Sequence, residues 1–170
     1  KVKEVVVKAQ DLKDLLSMNC NEEELQRFEK THELDTAVTL SGLRFRANFY
    51  KTIAGPACVC RRVESKIPSM DQFSLPQSLY DIVDFHKGLV LVTGPTGSGK
   101  STTLAAIVNE INRTRTANII TVEDPVEFIH TDDQSIVSHR EVGKQTQSFA
   151  AALKAALRED PDVILVGEMR

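Results

Sequence analysis

Gly88-Leu-Val-Leu-Val-Thr-Gly-Pro-Thr-Gly-Ser-Gly-Lys-Ser-Thr-Thr103 is the stretch around which this chain of 170 residues is organised. Leu89 to Val92 form a short continuous apolar run, the pattern of a strand buried on both faces. A glycine-rich turn comes next, and a helix-permissive segment begins at Lys100. Gly94, Pro95, Thr96, Gly97, Ser98, Gly99, Lys100 and Ser101 fit the phosphate-loop pattern G-x-x-x-x-G-K-[ST] without a mismatch. Glycines 94, 97 and 99 open backbone conformations closed to other residues, so successive N–H groups can turn inward around a phosphate. The helix after them adds the positive end of its dipole. In this pattern Lys100 reaches the β- and γ-phosphates and the Ser101 hydroxyl ligates Mg²⁺, with Thr102 counted among the phosphate-binding residues. A chance match in a glycine-rich turn is the alternative, but the strand-to-helix context is what the motif requires. A bound nucleoside triphosphate is expected.

Composition is that of an ordinary folded domain, with 41% hydrophobic and 26% charged residues. The net charge of −3 supplies no global basic field, so direct nucleic-acid binding is not expected. No apolar run approaches the roughly 18 residues of a membrane span. The chain begins at Lys1 without an initiator methionine, and this start is expected to be a fragment boundary. Cysteines 20, 58 and 60 are odd in number and include no C-x-x-C pair. Cys58 and Cys60 fall on one side of a strand, and small buried thiols of a reducing cytosol are expected rather than a zinc or redox site.

Taken in order, Lys1 to Leu16 reads as a strand or frayed start running into a segment, D-L-K-D-L-L, that suits a helix. Asn21 to Lys30 is a short helix with Asn21 as cap, three glutamates in its first turn and Leu25 and Phe28 on one face. The glutamates are read as a solvated helix start. Leu34–Leu40 and Leu43–Tyr50 alternate as strands joined at Ser41-Gly42, and Ala57–Val63 supplies a third. Arg44, Arg46, Arg61 and Arg62 stand on this unit, either as solvated charges or facing nucleotide phosphates. Ser65 to Pro76, with Pro68, Pro76 and several serines, reads as an interdomain linker.

Leu79 to Phe85 is expected to be a short helix, and Lys100 to Arg113 carries Leu104, Ile107, Val108 and Ile111 at helical spacing. Asn118 to Val122 reads as a second buried strand ending in Glu123-Asp124-Pro125-Val126-Glu127. Ligands of open α/β sheets bind outside the carboxyl ends of the strands, so carboxylates there can hold Mg²⁺ or orient water. Ile136–Ser138 is a further short strand and Thr146–Arg158 a helix with Phe149, Leu153 and Leu157 on one face. Asp162 to Glu168 closes the chain as a buried strand ending in a carboxylate, a Walker B arrangement with Glu168 where many such proteins carry Asp.

Together these residues resemble the type IV pilus and type II secretion motor ATPases, in particular the pilus-retraction branch. T-V-E-D-P-V-E-F at 121–128 looks like that family's Asp box. R-E-V-G at 140–143, A-L-R-E-D-P-D-V-I-L-V-G at 156–167 and E-M-R at 168–170 look like its Walker B neighbourhood. Met169 in that last motif is closer to retraction motors than to assembly motors or secretion ATPases. The resemblance implies an α/β fold: a RecA-like P-loop NTPase core, partial and confined to 77–170, preceded by a small α+β PAS-like domain at 1–65 and a linker at 66–76. It implies ATP and Mg²⁺ as ligands, a homohexamer, an inner-membrane pilus platform protein as partner, and a cytoplasmic site at the inner face of the membrane.

Carried over by position, Lys100 handles phosphate, Glu127 is the general base for the attacking water, and Ser101 and Glu168 hold Mg²⁺. Arg44, Arg46 and Arg61 match or lie near arginines that neutralise γ-phosphate charge. The chain departs from the family pattern at Ala54, where relatives often place an arginine, at His139, usually glutamine, and at Lys154, usually arginine. The family continues past E-M-R into a further aspartate, a His box and a helical region, so weak or absent turnover is expected of this stretch alone. The leading reading is an ATP-hydrolysing motor of pilus retraction. Pilus assembly or type II secretion is the alternative, and a nucleotide-dependent module without turnover is a third.

Overall fold

A computed structural model describes residues 7–63 and 66–168. The chain divides into two compact units, Lys1–Val63 and Glu64–Arg170. The strand or frayed start expected from Lys1 lies mostly outside the described residues, and the first described element is helix α1 (Ala9–Asn19). Helix α2 (Glu22–Thr31) starts at a reciprocal capping box. The Asn21 carboxamide accepts from the Glu24 N–H at 2.8 Å, and the Glu24 carboxylate accepts from the Asn21 N–H at 3.0 Å. Glu24 is therefore no solvated charge. It is buried and also accepts a 3.0 Å bond from Thr36 Oγ1.

Strands β1 (Glu33–Leu40), β2 (Leu43–Thr52) and β3 (Gly55–Arg62) form an antiparallel sheet in that order. The β1–β2 connection is the two-residue Ser41-Gly42, with φ of 50° and 75°, the left-handed pair that matches the twist of a hairpin. Leu34, Val38, Ala47 and Phe49 point to the helices, where they join Leu16 and Phe28 in the core. Arg44, Arg46 and Arg61 are on the opposite face, because alternation separates them from Ala47 and Phe49 and Arg46 is the register partner of Arg61. Cys58 and Cys60 do share one side, with Sγ atoms 3.4 Å apart. Burial pushes the Cys58 thiol up to about 12. Cys60, however, is exposed at the sheet edge and is not the buried thiol expected.

The second unit begins before its expected boundary. Residues 66–76 are not a free linker: Met70, in a 3₁₀ turn at Met70–Phe73, is 1% exposed. It packs against Ala106, Ile107 and Ile111, with Phe73 and Leu75 beside it. The prolines and serines bend this segment, but its apolar residues fasten it. Helix α3 (Gln77–Asp81) runs into a second 3₁₀ turn, Ile82–Asp84. Helix α4 (Lys100–Thr114) leads into strand β4 (Asn118–Glu123), after which come β5 (Ile136–Glu141), helix α5 (Phe149–Ala156) and β6 (Val163–Val166). The strands are parallel in the order β5-β4-β6. Ile119 and Val137 face α4; Ile120, Val122 and Ile164 face α5 through Ala152 and Ala156.

Three expectations fail here. Leu89–Val92 takes no part in the sheet, and Leu89 and Leu91 are 82% and 72% exposed. Apolarity favours a strand only where a neighbouring edge is offered, and no described strand pairs with this segment. The helix expected at 146–158 is shorter, and its buried stripe is Ala152 and Ala156 rather than Leu157, which is exposed. Finally, β6 is half-buried, because it lies at the edge of the three strands.

Beneath the β4–β5 connection lies a pair of stacked imidazoles, His130 and His139, with ring centroids 5.7 Å apart and planes 13° from parallel. His130 is buried, and its Nδ1 has no hydrogen-bond partner. Burial, reinforced by His139, holds its pKa down to about 4. Both the packing of Met70 and the burial of His130 can be tested. Met70→Ala should destabilise the second unit by about 2–5 kcal/mol, the usual cost of emptying such a site. Loss of amide-exchange protection in α4 reads this, whereas a solvated linker would leave protection unchanged. For His130 the folded state stays neutral while the unfolded chain gains a proton near 6.5. Its contribution is therefore complete above that pH and lost as pH falls toward about 4. His130→Phe should flatten the fall in thermal midpoint across this window; parallel profiles would contradict the assignment.

Candidate active site

Helix α4 places the phosphate loop. Its last turn is joined by residues 115–117 to the first residue of β4, so the helix runs antiparallel to the strand. Fifteen helical residues cover about 22 Å, and six strand residues about 20 Å. The amino end of α4 therefore returns to the carboxyl edge of the sheet. Gly97 and Gly99 take φ of 81° and 90°, and Gly99 is the N-cap of α4, a left-handed position that a side chain would strain. Between Gly94 and Thr102 lie the expected phosphate residues Pro95, Thr96, Ser98, Lys100 and Ser101, with Lys100 and Ser101 in the first turn of α4. The Lys100 ammonium donates to the carbonyls of Gly94 at 2.9 Å and Pro95 at 3.1 Å. It is thus held over the loop's concavity, where an anion would compete for its protons.

The carboxylates gather at the same edge. β4 ends in Glu123, after which a cis Asp124–Pro125 bond opens the loop that carries Glu127. The Glu127 N–H donates to Glu123 Oε2 at 3.2 Å, and the Val126 N–H donates to Glu141 Oε2 at 3.2 Å. Glu168 comes just after β6, where the Gly167 N–H donates to the Val122 carbonyl at 2.8 Å. A Cβ at Gly167 would lie 3.3 Å from the Glu123 backbone and 3.0 Å from its Cγ. A side chain there would crowd Glu123, so glycine suits the close approach of β6 to the end of β4, and Glu168 follows directly at that edge. Met169 and Arg170 of the E-M-R motif lie outside the described residues.

Hard oxygen donors from Ser101 and Glu168 suit Mg²⁺, which takes one or two protein oxygens and completes its shell with phosphate and water. Among the described residues no cluster of three or more metal-binding side chains occurs, and this metal needs none. In the first unit Arg46 forms an ion pair with Asp35 at 2.7 Å, while Arg44 and Arg61 share its face.

Three further residues of the second unit were given no role from the sequence. Glu141 is buried, ion-paired to Lys144 at 3.1 Å, and anchors the Glu127 loop. It stands at the carboxyl end of β5, so the rule that selected Glu127 and Glu168 selects it too. Asn112, buried on α4, donates to the Thr131 carbonyl at 2.8 Å and accepts from the Asp133 N–H at 3.2 Å. An asparagine interrupting an apolar helical stripe was its signal. His139 is the third.

A protein-family model described as "Type II/IV secretion system protein" matches residues 26–170. A twitching motility protein of Neisseria gonorrhoeae is 45% identical over 163 residues, 95% of this chain and 44% of that protein. The type IV pilus retraction ATPase PilT of Pseudomonas aeruginosa is 45% identical over 151 residues, 88% of this chain and 44% of that one. The crystal structure of the pilus retraction motor PilT with bound ADP superposes with a TM-score of 0.88 at 44% identity, covering 95% of this chain and 47% of that one. The chain thus spans about half the length of these relatives. With the family model matching residues 26–170 and relatives 45% identical over most of its length, this chain belongs to the type II/IV secretion system protein family.

Proposed function

We propose that this chain is the nucleotide-binding portion of an ATP-hydrolysing motor that powers type IV pilus retraction. What supports the proposal is that α4, which starts at the phosphate loop, packs on parallel strands whose carboxyl ends lead to Glu127 and Glu168. The loop N–H groups and Lys100 bind the β- and γ-phosphates and orient the triphosphate. Ser101 and Glu168 hold Mg²⁺, which when bound neutralises charge on the phosphate oxygens. Glu127 takes the proton of the attacking water, its loop fixed by the carboxylates of Glu123 and Glu141. Arg44, Arg46 and Arg61 are assigned the neutralisation of charge developing on the γ-phosphate.

Retraction is favoured by the likeness to the gonococcal twitching motility protein and to PilT over most of this chain. On the same footing we assign the whole protein a homohexameric ring, a pilus platform protein of the inner membrane as partner, and a cytoplasmic position at that membrane's inner face. Among the described residues no helix is long and apolar enough to cross a membrane.

The test uses the full-length protein. Lys100→Ala should abolish nucleotide binding or hydrolysis. Glu127→Gln should retain Mg·ATP binding while kcat falls at least about 10²-fold, the usual contribution of a general base. Unchanged turnover in Glu127→Gln would overturn the base assignment.

A further inference from the structure

Glu127 sits on a short segment of loop that β5 grips at both ends. Ahead of it, the Val126 N–H donates to the carboxylate of Glu141 at 3.2 Å. After it, the His130 N–H donates to Nε2 of His139 at 3.0 Å. Glu141 and His139 are two residues apart on one strand and therefore project from the same face. Between them they fix the backbone on either side of Glu127.

The chemistry of the second grip is specific. The same Nε2 lies 3.3 Å from the His130 carbonyl, so both backbone polar groups of His130 face the imidazole. Nδ1 lies 2.9 Å from Oγ1 of Thr121, with which it shares a hydrogen bond. Thr121 is the register partner of His139 on β4, so the ring is braced by the central strand of the sheet. The buried His130 ring stacks on the other side and limits rotation. Asn112 ties the next residue, Thr131, to α4.

The geometry points to His139 as a positioning residue for hydrolysis: through the His130 amide it holds the loop so that the Glu127 carboxylate meets the attacking water. This rests on the general-base reading of Glu127. The effect of His139 belongs in kcat, because a displacement of about 1 Å in a catalytic group costs up to about 10²-fold in rate while leaving the phosphate loop intact.

Steady-state ATP hydrolysis by the full-length protein separates the possibilities. His139→Leu keeps the bulk but removes the acceptor, and should lower kcat about tenfold or more with KM for Mg·ATP within about twofold. His139→Gln returns an amide oxygen near the Nε2 position and should recover most of that loss. In the Glu127→Gln background, His139→Leu should cost almost nothing further, because the two act as a unit. Thr121→Val, a gentler change that unbraces the ring, should speed hydrogen exchange at the His130 amide. The proposal is overturned by a parental kcat in His139→Leu, by fully additive losses, or by unchanged exchange in Thr121→Val. Parental turnover in Glu127→Gln would instead overturn the base assignment beneath it.

Discussion

The antiparallel docking of α4 on β4 is the constraint on which the chemistry depends. A helix and a strand of nearly equal length, joined by a short connection, must bring the start of one back to the end of the other. The start of α4 carries the phosphate loop and the end of β4 leads to Glu127. Apolar packing enforces the alignment: Ala106, Ile107, Val108 and Ile111 of α4 lie on Ile119 and Val137, with Met70 closing the side. The core thus sets the distance scale of the site. Side chains far from phosphate decide whether donors and carboxylates converge.

Around this frame the loop of Glu127 is held by the buried Val126 side chain and by polar contacts to buried or half-buried groups. Glu123 and Glu141 accept from its early amides, His139 from a later one, and Asn112 holds its exit. Such groups are costly to bury unpaired, so each tether is worth most when all are made. Gly167 extends the same logic to β6, where the missing Cβ lets two strand ends approach.

Much of this was legible in the sequence. The capped helix α2, the Ser41-Gly42 hairpin and the phosphate loop each rest on local chemistry that needs no distant partner. So does the sidedness of Arg44 and Arg46, which two-residue periodicity dictates within β2, whereas that of Arg61 needs the β2–β3 register. Where the expectation failed, a distant partner decided the outcome. Leu89–Val92 has the apolarity of a buried strand, but a strand exists only with a hydrogen-bonded neighbour. Met70 stands among prolines and serines that signal a linker, and only the groove beside α4 makes it core. His139 stood out in the sequence only as a departure from a usual glutamine; its contacts are with Thr121 and His130, which are 18 and nine positions away.

The central claim is that the carboxyl edge of the sheet gathers the phosphate loop, a metal-holding carboxylate and a base around one nucleotide. A crystal structure of the full-length protein with Mg²⁺ and a non-hydrolysable ATP analogue tests it most directly. Lys100 and the loop amides should lie on the β- and γ-phosphates, with Mg²⁺ on the Ser101 side. Glu127 should stand within about 3 Å of a water in line with the γ-phosphorus, the reach of a hydrogen bond. A water held there by another carboxylate, with Glu127 turned away from it, would contradict the claim.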